Sequence, residues 1–272
     1  MIKDITIGQY FPGRSILHRM DARMKIVLTF VIIVLIFLCK SFFSMGLMVA
    51  FVIALVFASR VPLKTVLKSL KPIFFIVIFT AVLNIFYTTG GAWTISIWVF
   101  KISEKGVFTA LFMAVRVICL VVVSSLLTYT TTPTGLTDAL ERLLSPLKIF
   151  KIEVHTIAMM MTLALRFIPT LIEEIDRIMS AQKARGADWE SGSLLSRAKA
   201  LVPVLVPLFV SSFRRAYELA FAMECRCYTG GKGRTRMKQM KLRVIDFVSM
   251  TVTAVLLAGV IVLNLYFDKV IA

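Results

Sequence analysis

The sequence predicts an all-α integral membrane protein with five transmembrane helices and a cytoplasmic unit of three helices. Hydrophobic residues make up 58% of the 272 residues, whereas soluble domains average about 45–50%. Several apolar runs reach the length that a membrane-spanning helix needs, about 17–25 residues. The basic segment 131–243 is too long for a connecting loop. These observations divide the chain into residues 1–130, 131–243 and 244–272.

Five apolar segments are predicted to span the bilayer. Their bounds are 24–39, 42–58, 72–88, 107–129 and 244–267. Lys25 and Lys40 flank the first segment, and their long side chains are expected to extend to the membrane surfaces. Lys40 and Ser41 alone connect the first segment to the second, which predicts a tight helical hairpin.

Basic residues concentrate in three hydrophilic regions: the N-terminal segment, the loop after the second predicted span, and residues 131–243. Because Lys and Arg are enriched in cytoplasmic loops, these regions are predicted to be cytoplasmic. The chain is then a multi-pass protein of the cell membrane with a cytoplasmic N-terminus and an extracellular C-terminus. The formal charge of +17 follows this membrane pattern, so we expect no nucleic-acid partner.

Segment 131–243 is predicted to contain three helices and a basic linker. The predicted bounds are 134–148, 152–185 and 194–226 for the helices and 230–243 for the linker. The second and third helices change from apolar to charged along their length, as expected for elements that leave the membrane interface for the cytoplasm. The alternative is that their apolar parts, 157–165 and 201–210, are additional spans.

Two motifs, each with an arginine between small residues, lie at the ends of the second and third of these helices. They are Ala184-Arg185-Gly186 and Cys225-Arg226-Cys227. An arginine at a helix C-terminus also complements the helix dipole by about 0.3–1 kcal/mol, so one motif alone has a structural explanation. The repetition favours docking, because small neighbours let a partner approach and the guanidinium can pair with a carboxylate. Two such ends, tens of ångströms apart, fit two related partner subunits.

Two further features have both a binding and a structural interpretation. Arg116 is the only charge in the middle of a predicted span, and it either contacts a membrane partner or pairs internally with backbone carbonyls. Met159, Met160 and Met161 are consecutive, and their flexible thioethers either repack against different partners or fill gaps between helices.

No catalytic constellation or cofactor site is predicted. The phosphate-binding pattern G-x-x-x-x-G-K-[ST] is absent from the sequence, so we expect no ATP hydrolysis by this chain itself. The Cys225–Cys227 pair lacks a nearby third ligand, which argues against a metal site. His18 and His155 lie outside the predicted spans, where they provide no proton relay.

The stretch from Tyr10 to Lys25, the two arginine motifs and the span pattern together resemble the transmembrane T component of energy-coupling factor importers. The resemblance covers essentially the whole chain. It implies that one motif contacts one ATP-binding cassette ATPase and the other motif a second ATPase. It also implies an exchangeable substrate-capturing membrane subunit, the S component, and uptake of a vitamin or another micronutrient. Arg116 and Met159–Met161 are candidate contacts with that subunit. The cysteines of the second motif depart from the common Ala-Arg-Gly pattern, which raises the question of redox sensitivity.

Two other functions are consistent with parts of the sequence. A stand-alone secondary carrier would transport without any ATPase, but such carriers usually have acidic groups inside their spans, and here only Asp246 lies at the edge of one. A membrane scaffold would bind partners without supporting ATP-dependent uptake, and only reconstitution separates it from a transporter component.

Overall fold

The computed structural model describes residues 10–87, 94–97, 100–151, 153–187, 194–230 and 240–267. Within them the chain forms ten α-helices, one 3₁₀ helix and one β-hairpin. The first six helices are α1 (Ile16–Arg19), α2 (Ala22–Leu38), α3 (Phe42–Ser59), α4 (Leu63–Leu70), α5 (Phe74–Tyr87) and α6 (Glu104–Thr130). The others are α7 (Pro133–Leu143), α8 (Val154–Ala184), α9 (Leu194–Cys225) and α10 (Val244–Tyr266). Strands β1 (Thr94–Ile97) and β2 (Phe100–Ser103) precede α6, and the 3₁₀ helix Ser145–Phe150 follows α7.

The chain divides into two compact units. Gly8–Ala139 and Gln239–Ala272 form the first, which contains α1–α6 and α10 and is called the membrane unit below. Leu140–Lys238 belong to the second, which contains α8 and α9 and is called the stem unit.

The helical membrane fold is confirmed, with the antiparallel β1–β2 hairpin as the exception. Among the described residues, α3, α6 and α10 are long and apolar enough to span a bilayer, with mean hydropathies between 2.2 and 2.5. The helices α4 and α5 add another span if the pair, bent by 54°, crosses as one element. At 17 residues, α2 lies at the lower end of the spanning range.

By length and composition α8 also qualifies as a span, although its mean hydropathy is only 1.4 and 6% of its most apolar stretch is buried. The charged C-terminal half of α8 is the reason for predicting it outside the bilayer, and that location stays a prediction.

Helices α4 and α7 differ from the predicted elements because of amphipathic patterning and prolines. Helix α4 occupies a segment that was predicted as a loop, and it turns Val66 inward while Lys64 and Lys68 stay exposed. Pro72 has no N–H for the carbonyl of Lys68, so the helix cannot continue into α5. Similarly, α7 ends at Leu143, before Pro146, instead of reaching residue 148.

The core of the membrane unit lies where α2, α3 and α6 meet. Its fully buried side chains include Leu35, Ile36, Met48 and Phe112. Cys39 and Cys119 are buried in this core as small apolar residues.

Lys25 does not extend to the membrane surface, so that expectation was wrong. Its side chain is only 7% exposed. The ammonium group donates to the Thr130 carbonyl at 2.8 Å and to Thr131 Oγ1 at 3.4 Å. The lysine therefore fastens the first turn of α2 to the last turn of α6, because a buried ammonium needs hydrogen-bond acceptors.

Asp21 and Asp246 join the N-terminal ends of α2 and α10. Asp246 is 1% exposed, and its carboxylate accepts from the Asp21 N–H at 2.9 Å and the Arg243 N–H at 2.7 Å. Asp21 caps α2 and forms an ion pair of 2.7 Å with Arg23, which also donates to the Met240 carbonyl. These contacts join the N-terminal ends of α2 and α10, and Lys25 joins α2 to the C-terminal end of α6. The three helix ends together form one polar layer.

Candidate functional site

The first arginine motif ends α8 in a defined cap. The Gly186 N–H donates to the Lys183 carbonyl, and the Ala187 N–H reaches back to the Gln182 carbonyl, both at 3.0 Å. Gly186 has φ +86°, the left-handed conformation that this cap requires and that glycine adopts without strain. Arg185 is the C-cap residue, and its side chain is exposed.

The second motif ends α9 in the same cap. The Cys227 N–H donates to the Glu224 carbonyl at 2.8 Å, and the Tyr228 N–H donates to the Met223 carbonyl at 3.0 Å. Cys227 has φ +54° and occupies the position that Gly186 holds in the first motif. Arg226 is the C-cap residue here and is exposed, as are both cysteines. The two motifs therefore share one backbone structure with different side chains.

Small side chains surround both arginines, as the sequence predicts for a docking surface. Ala184 and Gly186 are exposed around Arg185, which projects from the end of its helix. Within the described residues, neither guanidinium has a hydrogen bond or an ion pair. Each is thus available to a carboxylate on another protein.

Helices α8 and α9 run antiparallel in the stem unit, and side-chain contacts join them at three levels. Gln182 Nε2 donates to the Pro203 carbonyl at 3.4 Å near one end. Arg215 and Glu174 form an ion pair of 2.6 Å in the middle. The Tyr228 hydroxyl donates to Met159 Sδ at 3.1 Å at the other end.

This arrangement sets the distance between the two arginine motifs. Tyr228 follows the second motif directly and lies beside Met159, while Arg185 ends the same helix that contains Met159. At 1.5 Å per residue, the helix from Met159 to Arg185 rises by about 40 Å. The motifs therefore lie at opposite ends of the pair, in agreement with the predicted separation of tens of ångströms.

Prolines inside the stem helices leave carbonyls that need other donors. The Pro203 carbonyl would accept from residue 207 in a regular helix, but Pro207 has no N–H. Gln182 of α8 supplies the missing donor. The contact between the two helices at this level thus depends on the missing backbone hydrogen bond from residue 207 to residue 203 in α9.

The three methionines at the start of α8 have different environments. Met159 accepts the hydrogen bond from Tyr228 and so belongs to the internal contact of the stem. Met160 and Met161 are 54% and 42% exposed. Only the latter two are available for a partner.

Arg116 has an internal partner in the membrane unit. Its Nη2 donates to the Cys39 carbonyl at 2.7 Å, and its guanidinium carbon lies 4.8 Å from the centroid of the Phe112 ring. Cys39 is the C-cap of α2, so the arginine neutralises the end of that helix and satisfies one of its free carbonyls. This geometry agrees with the internal interpretation, while a contact with a membrane partner stays a prediction.

An exposed aromatic ridge on α9 was missed in the sequence, although its spacing of four residues is a readable signal. The ridge consists of Phe209, Phe213, Tyr217 and Phe221, which are 59–75% exposed. Residues four apart lie on one face of a helix. Large exposed apolar patches mark interaction sites with proteins or membranes.

The described residues contain no group of three or more His, Cys, Asp or Glu side chains arranged to hold a metal ion. Cys225 and Cys227 are free thiols on the surface of the stem unit.

Known proteins similar to this chain agree in name with the resemblance seen in the sequence. The sequence model of the family CbiQ, described as cobalt transport protein, matches residues 13–237. The energy-coupling factor transporter transmembrane protein EcfT of Ruminiclostridium cellulolyticum is 52% identical over 269 residues, covering 98% of this chain and 100% of the relative. The proteins of the same name from Clostridium kluyveri and Bacillus subtilis are 50% and 45% identical. These two comparisons cover 99% and 96% of this chain and 100% and 98% of the relatives.

Proposed function

The chain belongs to the CbiQ family, which includes the transmembrane components of energy-coupling factor transporters, and we propose that it couples two ATP-binding cassette ATPases to a substrate-capturing membrane subunit. The chain is a membrane-embedded transporter component, and such components are not themselves enzymes. The ATPases, the capture subunit, a vitamin or micronutrient as cargo, and the orientation of the termini are parts of the proposal.

The observation that carries the proposal is the duplicated cap. Arg185 and Arg226 project from helix ends with the same cap hydrogen bonds, and the pair of helices holds those ends about 40 Å apart. One docking arginine would fit a single partner, whereas two equal ones at opposite ends fit two related subunits side by side. Each guanidinium would pair with a carboxylate of its ATPase, and its small neighbours would let the two surfaces close.

The mechanism we propose is mechanical. Closure of two ATPases changes the distance between the surfaces that hold Arg185 and Arg226. The ion pair Glu174–Arg215 and the contacts at both ends join α8 to α9. The two helices would therefore move together when this distance changes. The capture subunit would follow this displacement and reorient in the bilayer.

The aromatic ridge of α9 is the surface we assign to the capture subunit. Aromatic side chains contribute most to protein interfaces, and here four of them are exposed on one face. Met160 and Met161 add a deformable surface that suits exchangeable subunits. Substrate choice would then belong to the capture subunit.

Purification of the variants Arg185→Ala, Arg226→Ala and the double variant in mild detergent tests the docking proposal. Loss of an interfacial arginine costs about 2 kcal/mol, so each single change is expected to weaken ATPase binding about 30-fold, and the double change more. The matched controls are Arg177→Ala and Arg214→Ala, which remove exposed arginines from the same helices.

Reconstitution in liposomes separates the proposal from the two alternative functions. Uptake that requires both ATPases and ATP supports coupling. Transport by the chain alone would indicate a secondary carrier, and partner binding without ATP-dependent uptake would indicate a scaffold. Unchanged binding and uptake in the double variant would refute the role of the two arginines.

The ridge is tested by Phe213→Ser combined with Phe221→Ser, with Phe150→Ser as a control. Phe150 is 74% exposed in the same unit but lies outside the ridge. We expect the ridge variant to lose the capture subunit while it keeps both ATPases. Retention of the capture subunit would exclude the ridge from that interface.

A further inference from the structure

A cleft of about 240 Å³ lies in the membrane unit between α2, α3, α6 and α10. Its apolar walls include Leu28, Ile32, Leu55, Val123, Leu126 and Val252. The lining positions run over residues 25–32 of α2, 51–58 of α3, 123–130 of α6 and 245–253 of α10. Each run rises by about 10–12 Å along its helix. The cleft is therefore an elongated slot parallel to four helices.

One end of the slot carries a cation. Lys25 and Thr130 line it at the first turn of α2 and the last residue of α6, so this end coincides with the polar layer. Lys25 is 93% buried, and two of its three ammonium protons go to Thr130 O and Thr131 Oγ1. The third has no acceptor among the described residues. From this end the slot extends into the apolar part of the helices.

The neighbouring carboxylates of Asp21 and Asp246 attract the Lys25 ammonium electrostatically, but the described contacts include no ion pair between either of them and Lys25. Asp246 accepts from two backbone N–H groups, and Asp21 is paired with Arg23. An anion at the mouth of the slot would therefore add a partner to the ammonium without displacing one.

Water is a poor occupant of the slot because the walls offer it few partners. Three of the four lining hydroxyls already donate to carbonyls of their own helices: Thr130 to Leu126, Ser249 to Asp246, and Thr253 to Ser249. A buried water needs two to four polar partners. An apolar group fits these walls better.

The rim of the slot is accessible from outside the unit. Ile16, Val248 and Val252 line the slot and are 60%, 56% and 45% exposed. In a chain embedded in a bilayer, lipid is the apolar material next to such a rim. We propose that the slot binds one acyl chain of an anionic phospholipid, with the phosphate paired to the free proton of Lys25.

Photo-crosslinking of the full chain with its co-purified partners tests the proposal. The probe is phosphatidylglycerol with a diazirine in one acyl chain, in phosphatidylcholine vesicles. Two further samples replace it by phosphatidylcholine with the same acyl chain or by the free diazirine fatty acid. We expect the phosphatidylglycerol probe to label peptides around Leu28, Val123 and Val252 about fivefold more than either alternative. This factor corresponds to about 1 kcal/mol for one basic residue at an anionic surface.

Two variants test the slot by different routes. Lys25→Met is expected to remove the fivefold preference, whereas Lys40→Met, at the exposed other end of the first hairpin, should preserve it. Lys25→Met also removes two hydrogen bonds, so Ala58→Phe provides an independent test that fills the slot and leaves the ammonium intact. Ala54→Phe makes the same substitution at an exposed position of α3 and serves as its control.

Several results would overturn the proposal. Equal labelling by the phosphatidylcholine and phosphatidylglycerol probes would show that the lipid charge plays no role. Stronger labelling by the fatty acid than by phosphatidylglycerol would show that the slot prefers a free fatty acid to a phospholipid. Unchanged labelling in Ala58→Phe would place the lipid elsewhere. Absence of labelling at the slot peptides by all three probes would show that no lipid enters the slot.

Discussion

Arg185 and Arg226 occupy the same backbone position, the C-cap residue immediately before a left-handed residue, at the ends of two antiparallel helices. The equivalence extends to the hydrogen bonds of the caps, which connect corresponding residues in both motifs. The caps differ in their left-handed residue, which is Gly186 in one and Cys227 in the other. Two partner subunits would thus meet two similar surfaces. Only the second surface contains a side chain at positive φ, that of Cys227, and therefore backbone strain.

Cys227→Gly is expected to stabilise the stem unit by about 1 kcal/mol, because a side chain at positive φ is disfavoured by roughly that amount. ATPase binding should be retained, since Arg226 keeps its position. Thermal unfolding and pull-down measure the two effects. The matched substitution Gly186→Ala should change stability with the opposite sign. A loss of binding in Cys227→Gly would instead identify the thiol as a contact.

Arg116→Met is expected to lower the free energy of unfolding by about 1–3 kcal/mol, because the Cys39 carbonyl loses its charged donor. Thermal unfolding of the purified chain measures this change. Pull-down of the capture subunit supplies the second readout. Release of that subunit with an unchanged unfolding midpoint would support the partner-contact interpretation and contradict the internal one.

The pair Glu174 and Arg215 is expected to matter more for coupling than for stability. Their side chains are 27% and 33% exposed, and such ion pairs contribute about 0–1 kcal/mol. Glu174→Gln should therefore leave ATPase binding intact and reduce ATP-driven uptake. The charge reversal Glu174→Arg with Arg215→Glu should restore part of the uptake. Failure of the reversal together with full activity of each single variant would remove the pair from the mechanism.

Replacement of Met160 and Met161 by leucine is expected to change the ranking of competing capture subunits, because the stiffer side chains repack less readily. Competition pull-down with two or more such subunits measures the ranking. Met159→Leu is the control, since its sulfur is engaged by Tyr228, and it should alter stem stability more than partner choice. An unchanged ranking in the double variant would leave the methionines with a packing role only.

Asp246→Asn is expected to destabilise the membrane unit by about 1.5–3 kcal/mol. The carboxylate accepts from two backbone N–H groups, whereas an amide has one acceptor oxygen and one donor group. One N–H would therefore lose its acceptor in a buried position. Thermal unfolding checks the change against Asp138→Asn, the same substitution at a half-buried aspartate of α7 in the same unit. Equal midpoints for the two variants would contradict a structural role for the buried carboxylate.

The sequence was sufficient for the stem helices, whereas the contacts around the buried cations required the structure. Helices 152–185 and 194–226 were predicted close to their observed bounds because apolar patterning and Gly186 mark their course and ends. Lys25 bonds to a carbonyl 105 residues away, and Arg116 to one 77 residues away. No local pattern encodes such partners. The aromatic ridge of α9, by contrast, was readable from its spacing and was missed.

The hydrogen bond between the Asp21 N–H and Asp246 joins residues that are 225 positions apart. During synthesis, α2 is made long before the Asp246 carboxylate that accepts from its N-cap residue. Until α10 has been inserted, the Asp21 N–H lacks the Asp246 acceptor. The last helix thus acts as a closing step of biogenesis, and chains truncated before it would present an incomplete end to membrane quality control.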